Sequence, residues 1–346
     1  MNIQLRDQDA ICEFKSRLGE LLLHSGLRSG LNLPYECASG TCGSCKARLV
    51  SGEIEDHWDS APGRKYLVTP DEFLLCQCSA SADCIVEVKN IIGARTGNAN
   101  PPTSGNGVVT GAKVLAPQIL SFSVELDKAI NFEAGQFVGL RFPDIPGFRS
   151  YSMVNHQYGA KRLDFVIKQK PGGRLTPWLL NNAIEGLQVE WYGALGSAVF
   201  HPDLRKNILC IAGGTGIAGM MSILSRACDG NYFANYRGSV FFGVRTLSDA
   251  FYLSELDELV SAFPTSLDVT VALSDEDVPA SEVQRYSSLN FRRGQVHEVA
   301  GAAMKGKYDN VVAYLAGPPP AVDAAIRVLL LQAKLPVHNI RFDKFS

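Results

Sequence analysis

Apolar and polar positions change period twice along this chain, and the changes divide it into three parts. Near the N-terminus, Ile3–Arg6 and Ile11–Lys15 alternate as short strands, Leu18–His24 has helical spacing, and Ala47–Val50, Phe73–Cys78 and Cys84–Val88 read as further strands. Ser51-Gly52-Glu53 supplies a turn. Together they predict a small mixed α/β unit over residues 1–91. Residues 92–107 lose all periodicity and turn rich in Gly, Pro, Asn, Ser and Thr, the composition of a linker that would let the first unit dock on the rest or swing away. From 108 to 204 closely spaced β-type runs follow: Val108–Leu115, Ile119–Leu126, Gln136–Phe142, Arg162–Lys168 and Leu187–Tyr192. Runs this short and this close favour a small antiparallel barrel. From 205 to 346 strands and helices alternate. Ile208–Ala212, Ser239–Val244, Leu267–Leu273 and Val311–Ala316 are the strands; Gly216–Arg226, Tyr252–Phe263 and Ala321–Ala333 are the helices. That rhythm predicts an open parallel sheet flanked by helices.

Length agrees with more than one core, since 346 residues exceed an ordinary single domain. With 46% hydrophobic and 20% charged residues the chain is globular, and a formal net charge of −2 gives no general affinity for nucleic acid or anionic membranes. No run approaches the roughly 18 apolar residues of a spanning helix. The opening Met1-Asn2-Ile3-Gln4-Leu5-Arg6-Asp7 lacks the basic and apolar segments of a signal peptide, which points to the cytoplasm. Nine cysteines in such a setting suggest metal ligation before disulfides.

Their arrangement carries the chemistry. Cys37-Ala38-Ser39-Gly40-Thr41-Cys42-Gly43-Ser44-Cys45 spaces three thiols as C-x4-C-x2-C, the ligand order of a plant-type [2Fe-2S] cluster. A tight glycine-rich loop suits it, because thiolate and sulfide sulfurs draw hydrogen bonds from backbone N–H groups. Structural zinc is the rival, though zinc sites usually pair two short CxxC units. The fourth ligand is Cys76 or Cys78, which strand alternation would put on the same face. Cys12, Cys84, Cys210 and Cys228 read as buried small hydrophobes. An exposed rim including Ala38 and Ser39 is the expected face toward a partner.

Three further stretches suggest nucleotides. Arg149-Ser150-Tyr151-Ser152 groups a cation, a ring and hydroxyls, and Pro171-Gly172-Gly173-Arg174-Leu175-Thr176 lies between a strand and a helix, where backbone N–H groups can meet a phosphate. Either could equally be a strand end or a plain turn. Gly213-Gly214-Thr215-Gly216-Ile217-Ala218-Gly219 matches G-x-G-x-x-G at a strand-to-helix junction. The usual acidic ribose partner is missing, however, because the next strand ends Gly243-Val244-Arg245. Ala316-Gly317-Pro318-Pro319-Pro320 follows another strand at the same sheet edge, and its plainer reading is a stiff loop that opens a helix. The six histidines show no paired metal spacing, and no Ser-His-Asp set stands out.

Cys37, Cys42, Cys45 and Cys76, the Arg149-Ser150-Tyr151-Ser152 run, Gly213-Gly214-Thr215-Gly216 and the late Gly317-Pro318 together resemble the electron-transfer reductases of oxygenase systems, in the ferredoxin–NADP reductase superfamily. Leu33-Pro34-Tyr35-Glu36-Cys37, His57-Trp58-Asp59-Ser60-Ala61-Pro62-Gly63, Cys76-Gln77-Cys78 and the ending Arg341-Phe342-Asp343-Lys344-Phe345 are most similar to reductases of toluene and related diiron hydroxylases; reductases of Rieske dioxygenases share most of the frame.

The resemblance implies a β-grasp [2Fe-2S] ferredoxin, an antiparallel β-barrel FAD domain and an α/β parallel-sheet NAD domain. It selects Cys76 as the fourth ligand, and the N-terminal position of the ferredoxin implies FAD over FMN. It further implies that Tyr151 packs on one flavin face, Ser152 lies near N5, Arg149 and the Gly173, Arg174, Leu175, Thr176 turn hold the pyrophosphate, and Phe345 covers the other flavin face until nicotinamide displaces it. Ser150 belongs to the same flavin motif. Gly214, Thr215, Gly216, Arg245, Gly317 and Pro318 would meet the nicotinamide nucleotide. The chain departs from the family at Ala316, where cysteine is common, and at Gly219, where proline is common. Acids at Asp275-Glu276-Asp277 would repel a 2′-phosphate, so NADH is the expected coenzyme. The implied activity is passage of electrons from NADH through FAD and the cluster, one at a time, to an oxygenase or a small intermediary carrier. A similar reductase serving deoxysugar dehydration and a zinc-stapled nucleotide-binding protein without redox activity are the competing readings.

Overall fold

The computed structural model describes residues 1–7, 10–89, 101–278 and 280–345. Each part predicted from the pattern forms its own sheet. The first contains β1 (Asn2–Arg6), β2 (Ile11–Lys15), α1 (Leu22–Arg28), β3 (Lys46–Ser51), β4 (Ile54–Asp56), β5 (Glu72–Leu74), β6 (Cys78–Ala80) and β7 (Cys84–Val88). Five of these strands pair in the order β2-β1-β7-β3-β5, and β4 and β6 form a separate ribbon. Burial alternates along β1 and β7, so Leu5 and Val86 face the helix side and are fully buried.

The helix begins later than its apolar spacing suggests, at Leu22 instead of Leu18. Gly19 is left-handed (φ 72°), and Glu20 N–H bonds back to Arg17 O, so a turn occupies Arg17–Glu20. The run Phe73–Cys78 likewise is not one strand. Leu75–Gln77 make a turn between β5 and β6, closed by Gln77 N–H on Leu74 O.

The second part holds β8 (Thr103–Ala116), β9 (Ile119–Ile130), β10 (Phe137–Arg141), β11 (Arg149–Ser152), β12 (Ala160–Lys168), α2 (Leu175–Asn181) and β13 (Gln188–Leu195). Its six strands pair antiparallel in the order β11-β10-β13-β8-β9-β12. Thr103–Gly107, read as linker, are the first residues of β8 and pair with Gly193–Val189 of β13. Glycine weakens a strand's sequence signal, but here it is what fits: a Cβ at Gly105 would lie 2.8 Å from the Trp191 indole nitrogen. Residues 92–100 of the predicted linker lie outside the described residues.

The third part contains β14 (Asn207–Gly213), α3 (Ile217–Asp229), β15 (Gly238–Val244), α4 (Leu253–Ala262), β16 (Leu267–Leu273), α5 (Ala280–Arg285), β17 (Asn290–Arg293), α6 (Val296–Ala303), β18 (Val311–Gly317), α7 (Pro319–Arg327) and β19 (Ile340–Lys344). All six strands are parallel, in the order β17-β16-β15-β14-β18-β19. The order reverses at β14, and in such sheets the crevice beyond the strand C-termini at the reversal is where ligands bind. The edge strands β17 and β19 carried no clear pattern, because their residues are mostly polar or half-buried.

The parts are packed on one another. Phe137, Phe148, Tyr192 and Leu195 of the barrel join the buried cluster of the first unit, while Ala116, Ile119, Ala134, Val166 and Phe200 join that of the third. The barrel is therefore the middle of the molecule. Among the described residues no helix is long and apolar enough to cross a membrane.

Candidate functional site

The thiol loop runs between α1 and β3 with Ala38 (φ 50°), Gly40 (φ 77°) and Gly43 (φ 77°) in the left-handed region. Those three reversals turn successive N–H groups inward. Ser39, Thr41 and Cys42 N–H each point at Cys37 Sγ at 3.4 Å, and Ser44 N–H points at Cys42 Sγ at 3.4 Å. Glycine is required by crowding as well: a Cβ at Gly40 would meet the Gln77 side chain at 2.9 Å, and one at Gly43 the Tyr66 ring at 2.5 Å.

Cys76 comes to the loop from the turn after β5, its Sγ 3.2 Å from Cys45 Sγ. Both are buried, whereas Cys37 and Cys42 are half-buried. The four thiols so gathered form two pairs. Cys37 is drawn down to about 4 by the hydrogen bond from the Cys42 thiol, against the opposing effect of burial. The surroundings thus favour thiolate, the ligand form, at Cys37, while the bond to Cys37 and burial push the Cys42 thiol up and the bond to Cys76 and burial push the Cys45 thiol up. Among the described residues no three His, Cys, Asp or Glu side chains are arranged to hold a single metal ion. Two thiol pairs under a ring of N–H donors instead suit a two-iron cluster with two ligands per iron. Cys78, two residues on, lies beyond the turn in β6, and burial pushes its thiol up. The turn removes the alternation that made Cys76 and Cys78 equivalent in sequence.

The expected rim needs correction. Ala38 and Ser39 are 2% and 6% exposed, and Ser39 lines a cleft it shares with Ser150 and Phe345. Outward exposure falls to Thr41–Ser44, beside the half-exposed Tyr66 ring that covers Gly43. The left-handed Ala38 turns that corner of the loop inward.

On the barrel, β11 pairs with β10 so that Ser152 lies opposite Phe137 and Tyr151 opposite Val138. The Ser152 hydroxyl is buried and has no hydrogen-bond partner. A buried orphan hydroxyl asks for a polar group not supplied by the chain. The Tyr151 ring is half-buried and meets Phe165 edge-on at 6.4 Å. The Ser150 hydroxyl donates to Cys37 O at 2.5 Å, tying the flavin-motif strand to the thiol loop. In the turn before α2, Gly173 N–H bonds to Lys170 O and Thr176 Oγ1 accepts from Lys170 N–H, while the Leu175 side chain packs into the barrel core. Arg174 stands near enough to Arg149 for their charges to oppose.

In the third part, a single 3-10 turn (Gly214–Gly216) joins β14 to α3. A Cβ at Gly216 would lie 2.2 Å from Ala316 O, and one at Gly317 (φ 145°) 3.0 Å from Gly213 O. The two glycine turns are thus packed backbone to backbone at the end of β14 and β18, at the reversal of strand order. Gly219 faces Ser152, its ideal Cβ 3.7 Å from the Ser152 Oγ. Phe345 N–H bonds to Gly317 O at 3.0 Å. A cavity of about 550 Å³ lies between Cys37, Ser39, Ser150, Asp343 and Phe345. It joins the thiol loop, the barrel strand and the C-terminal strand in one space.

Family models match the same three parts: a 2Fe-2S iron-sulfur cluster binding domain over residues 5–81, an oxidoreductase FAD-binding domain over 107–200 and an oxidoreductase NAD-binding domain over 210–327. A ferredoxin–NAD(P)+ reductase of Metapseudomonas resinovorans is 32% identical over 94% of this chain and 95% of its own length. The chain belongs to the ferredoxin–NAD(P)+ reductases. The ferredoxin–NAD+ reductase component of an alkene monooxygenase system from Xanthobacter autotrophicus is 31% identical to this reductase over 96% of the chain and 97% of its own. A solved ferredoxin reductase in carbazole 1,9a-dioxygenase, 31% identical, superposes with a TM-score of 0.81 over 100% of this chain and 99% of the other.

The reductase is accordingly an oxidoreductase that uses a [2Fe-2S] cluster, FAD and a nicotinamide nucleotide. The zinc-stapled reading without redox activity is set aside by that membership. The coenzyme end holds a residue pair whose meaning lies in its geometry. Arg245, at the end of β15, is bonded by Asp275 at 2.8 Å, and Glu276 accepts from Leu247 N–H. Asp275 thus neutralises Arg245 at the end of β15.

Sequence reasoning passed over several contributors. Gly63 donates its N–H to Gly40 O at 2.8 Å and has no room for a Cβ, so it closes the thiol loop from outside. Its only signal was its place in the His57–Gly63 stretch quoted for resemblance. Gln77 Nε2 points at Cys76 Sγ at 3.4 Å. His24 lies flat on Tyr192, with ring centroids 3.6 Å apart, and burial lowers it to about 3, so it remains a neutral part of the joint between cluster unit and barrel. Asp343 faces the cavity, where burial and then the charge of Glu36 push its carboxyl up to about 7.

Proposed function

We propose that the reductase oxidises NADH and delivers electrons one at a time to the terminal component of a multicomponent oxygenase, directly or through a small carrier protein. The observation that carries this reading is the Ser150 hydroxyl on Cys37 O at 2.5 Å, which puts the flavin-motif strand in direct contact with a cluster-ligand residue. The chemistry the bound groups supply is acceptance of a hydride from a dihydronicotinamide and release of its electrons singly to a one-electron centre.

The chain's own residues do the placing. Cys37 and Cys42 would hold one iron and Cys45 and Cys76 the other, under the N–H groups of Ser39, Thr41, Cys42 and Ser44. Ser152, whose hydroxyl is unpartnered, would meet the flavin's reactive edge and Tyr151 would pack on one ring face; Phe345, tethered at Gly317, would cover the other face or yield to nicotinamide. Arg149 and the Gly173, Arg174, Leu175 and Thr176 turn would hold the pyrophosphate. Gly214, Thr215, Gly216, Gly317 and Pro318 let the coenzyme approach the sheet end closely, and Arg245, neutralised by Asp275, favours NADH over NADPH. Asp275 takes the acid's role at the end of β16, not β15. The rim Thr41–Ser44 with Tyr66 is the exit toward the acceptor.

An aromatic or hydrocarbon monooxygenase is favoured as client over a Rieske dioxygenase, a choice supported by the phenol, xylene/toluene, alkene and propane monooxygenase reductases among the relatives, while the likeness to the ferredoxin reductase in carbazole 1,9a-dioxygenase supports the dioxygenase alternative. A deoxysugar-dehydrating client would use the same relay, and nothing in the site favours it. A cytoplasmic setting is supported by a set of nine cysteines that forms no disulfide among the described residues. Anaerobic titration with NADH, followed in the visible spectrum, tests the relay. Flavin and iron–sulfur bands should bleach together at sub-stoichiometric NADH; bleaching of flavin alone would disconnect the cluster. Reconstitution with candidate oxygenases identifies the acceptor.

A further inference from the structure

Arg149, the cation of the flavin motif, does not stand alone on the barrel. Its guanidinium lies 4.0 Å from the ring centroid of Trp58, which belongs to the iron–sulfur unit. Nη1 is already used, donating to Pro146 O and Phe148 O at 3.0 Å each. Among the described residues Nε and Nη2 have no partner, and no carboxylate pairs with Arg149 or with the neighbouring Arg174. A half-buried Arg149 with the exposed Arg174 near it, and among the described residues no carboxylate counter-charge, makes a place that asks for an anion.

The backbone is shaped for the contact with Trp58. Gly147 is left-handed (φ 75°), and a Cβ there would lie 2.7 Å from the Trp58 ring and 2.9 Å from Gln77 Oε1. Any side chain at 147 would wedge the two units apart. Gln77 in turn reaches Cys76 Sγ. One small cluster thus touches a cluster ligand on one side and the flavin-motif arginine on the other.

An arginine fork is useful to a pyrophosphate only when its plane is fixed, since the long side chain otherwise spends its binding on lost rotamer freedom. A ring lying on one face, with two carbonyls on one nitrogen, fixes that plane and leaves the Nε and Nη2 edge free. We propose that Trp58 is a positioning residue for FAD: it holds Arg149 in the orientation that meets the flavin pyrophosphate, so that retention of FAD depends on docking of the iron–sulfur unit. The inference rests on the assignment of Arg149 to the pyrophosphate. By reciprocity, bound FAD strengthens docking by the same factor. A molecule whose cluster unit has swung away would lose its grip on flavin, and only the docked state would be competent to reduce the cluster.

The test is the FAD dissociation constant of the full chain with its cluster in place, measured by quenching of free FAD fluorescence on titration into flavin-stripped protein. Trp58→Ala should weaken FAD about tenfold and Trp58→Phe less, in line with a partly desolvated cation–π contact. Visible circular dichroism of the cluster checks integrity; should Trp58→Ala lose that signal, Trp58→Phe decides, about threefold weakening supporting the proposal and no change overturning it. In an Arg149→Ala background the Trp58→Ala change should add almost nothing, because the ring acts only through the guanidinium. Full additivity, or an unchanged constant in Trp58→Ala, overturns the proposal. If Arg149→Ala itself leaves FAD binding unchanged, the pyrophosphate assignment is what fails, and the proposal falls with it. Amide exchange at Ala61, whose N–H bonds to Trp58 O, should slow when FAD is added; unchanged exchange contradicts the reciprocal coupling.

Discussion

Two glycine-rich turns govern the chemistry of this reductase, and they use glycine for different reasons. In Cys37–Cys45 the glycines let the chain curl so that N–H groups surround sulfur, and what crowds them is side chains, Gln77 on Gly40 and Tyr66 on Gly43. In Gly213–Gly216 the crowding is backbone on backbone, with Ala316 O 2.2 Å from where a Gly216 Cβ would stand. The first turn carries three of its four thiols itself and needs only Cys76 from the turn after β5. The second becomes a site only because β18 lies beside β14 and brings Gly317 to the same sheet end. Changing a ligand atom should destroy the first, whereas a methyl group should be enough to disturb the second.

The largest expected effect separates two cysteines two residues apart. Cys76→Ser should abolish the [2Fe-2S] circular dichroism and electron paramagnetic signals and all reduction of a one-electron protein acceptor, while NADH still reduces flavin, because Cys76 lies 3.2 Å from Cys45 in the ligand set. Cys78→Ser should keep both signals. An intact cluster in Cys76→Ser, or its loss in Cys78→Ser, would reverse the ligand assignment. Next in size, Gly216→Ala should slow flavin reduction by NADH at least about tenfold with the cluster spectrum unchanged, since overpacking against a main-chain carbonyl costs about 1–3 kcal/mol. Stopped-flow reduction measures it, and a wild-type rate would show that the two turns need not touch.

The same contrast explains how much could be read in advance. Cysteine spacing is a local property, so the thiol loop was legible from C-x4-C-x2-C, and hydropathy period gave three parts of the right classes. Legibility ended where neighbours decide. Cys76 and Cys78 were equivalent until the turn at Leu75–Gln77 broke the strand, and Ala38 and Ser39 faced inward because of a left-handed alanine that composition does not announce. Thr103–Gly107 looked like linker because glycine and serine hide a strand that Trp191 and its neighbours require. The acids at Asp275–Asp277 were legible in sequence, but that Asp275 bonds Arg245 at the end of the neighbouring strand is a register fact no sequence window shows. The Trp58–Arg149 contact joins residues far apart in the chain and was invisible to any window.

That cross-strand pair supplies a milder test of the coenzyme end. Asp275→Ala frees Arg245 and removes one negative charge from the ribose side. The ratio of kcat/KM for NADPH to that for NADH should rise about fivefold, the modest size expected of an exposed ion pair. Added salt should shrink the change, because an exposed charge is screened. A ratio that stays put would move coenzyme selection away from Arg245.

The smallest effect probes the cavity where the two ends meet. Asp343 has an ordinary value of 3.8, raised to about 7 by burial and then by Glu36. Between those two values the folded chain keeps a proton that the unfolded chain has lost, so this group makes stability fall as pH rises through the window and leaves it level above. Because the carboxyl is only half-buried by accessible surface, the contribution is discounted to about 1–2 kcal/mol from the full shift. Asp343→Asn cannot ionise. Its Tm should match that of the unaltered chain only below about pH 3.8, pull ahead as pH rises through the window and exceed it by about 2–4 °C at pH 8, a spread consistent with a chain of this size. Parallel melting curves across the range would mean that Asp343 is ionised in the folded state throughout. The cavity between cluster loop and C-terminal strand would then be wetter than the packing of Glu36, Ser150 and Phe345 around it implies.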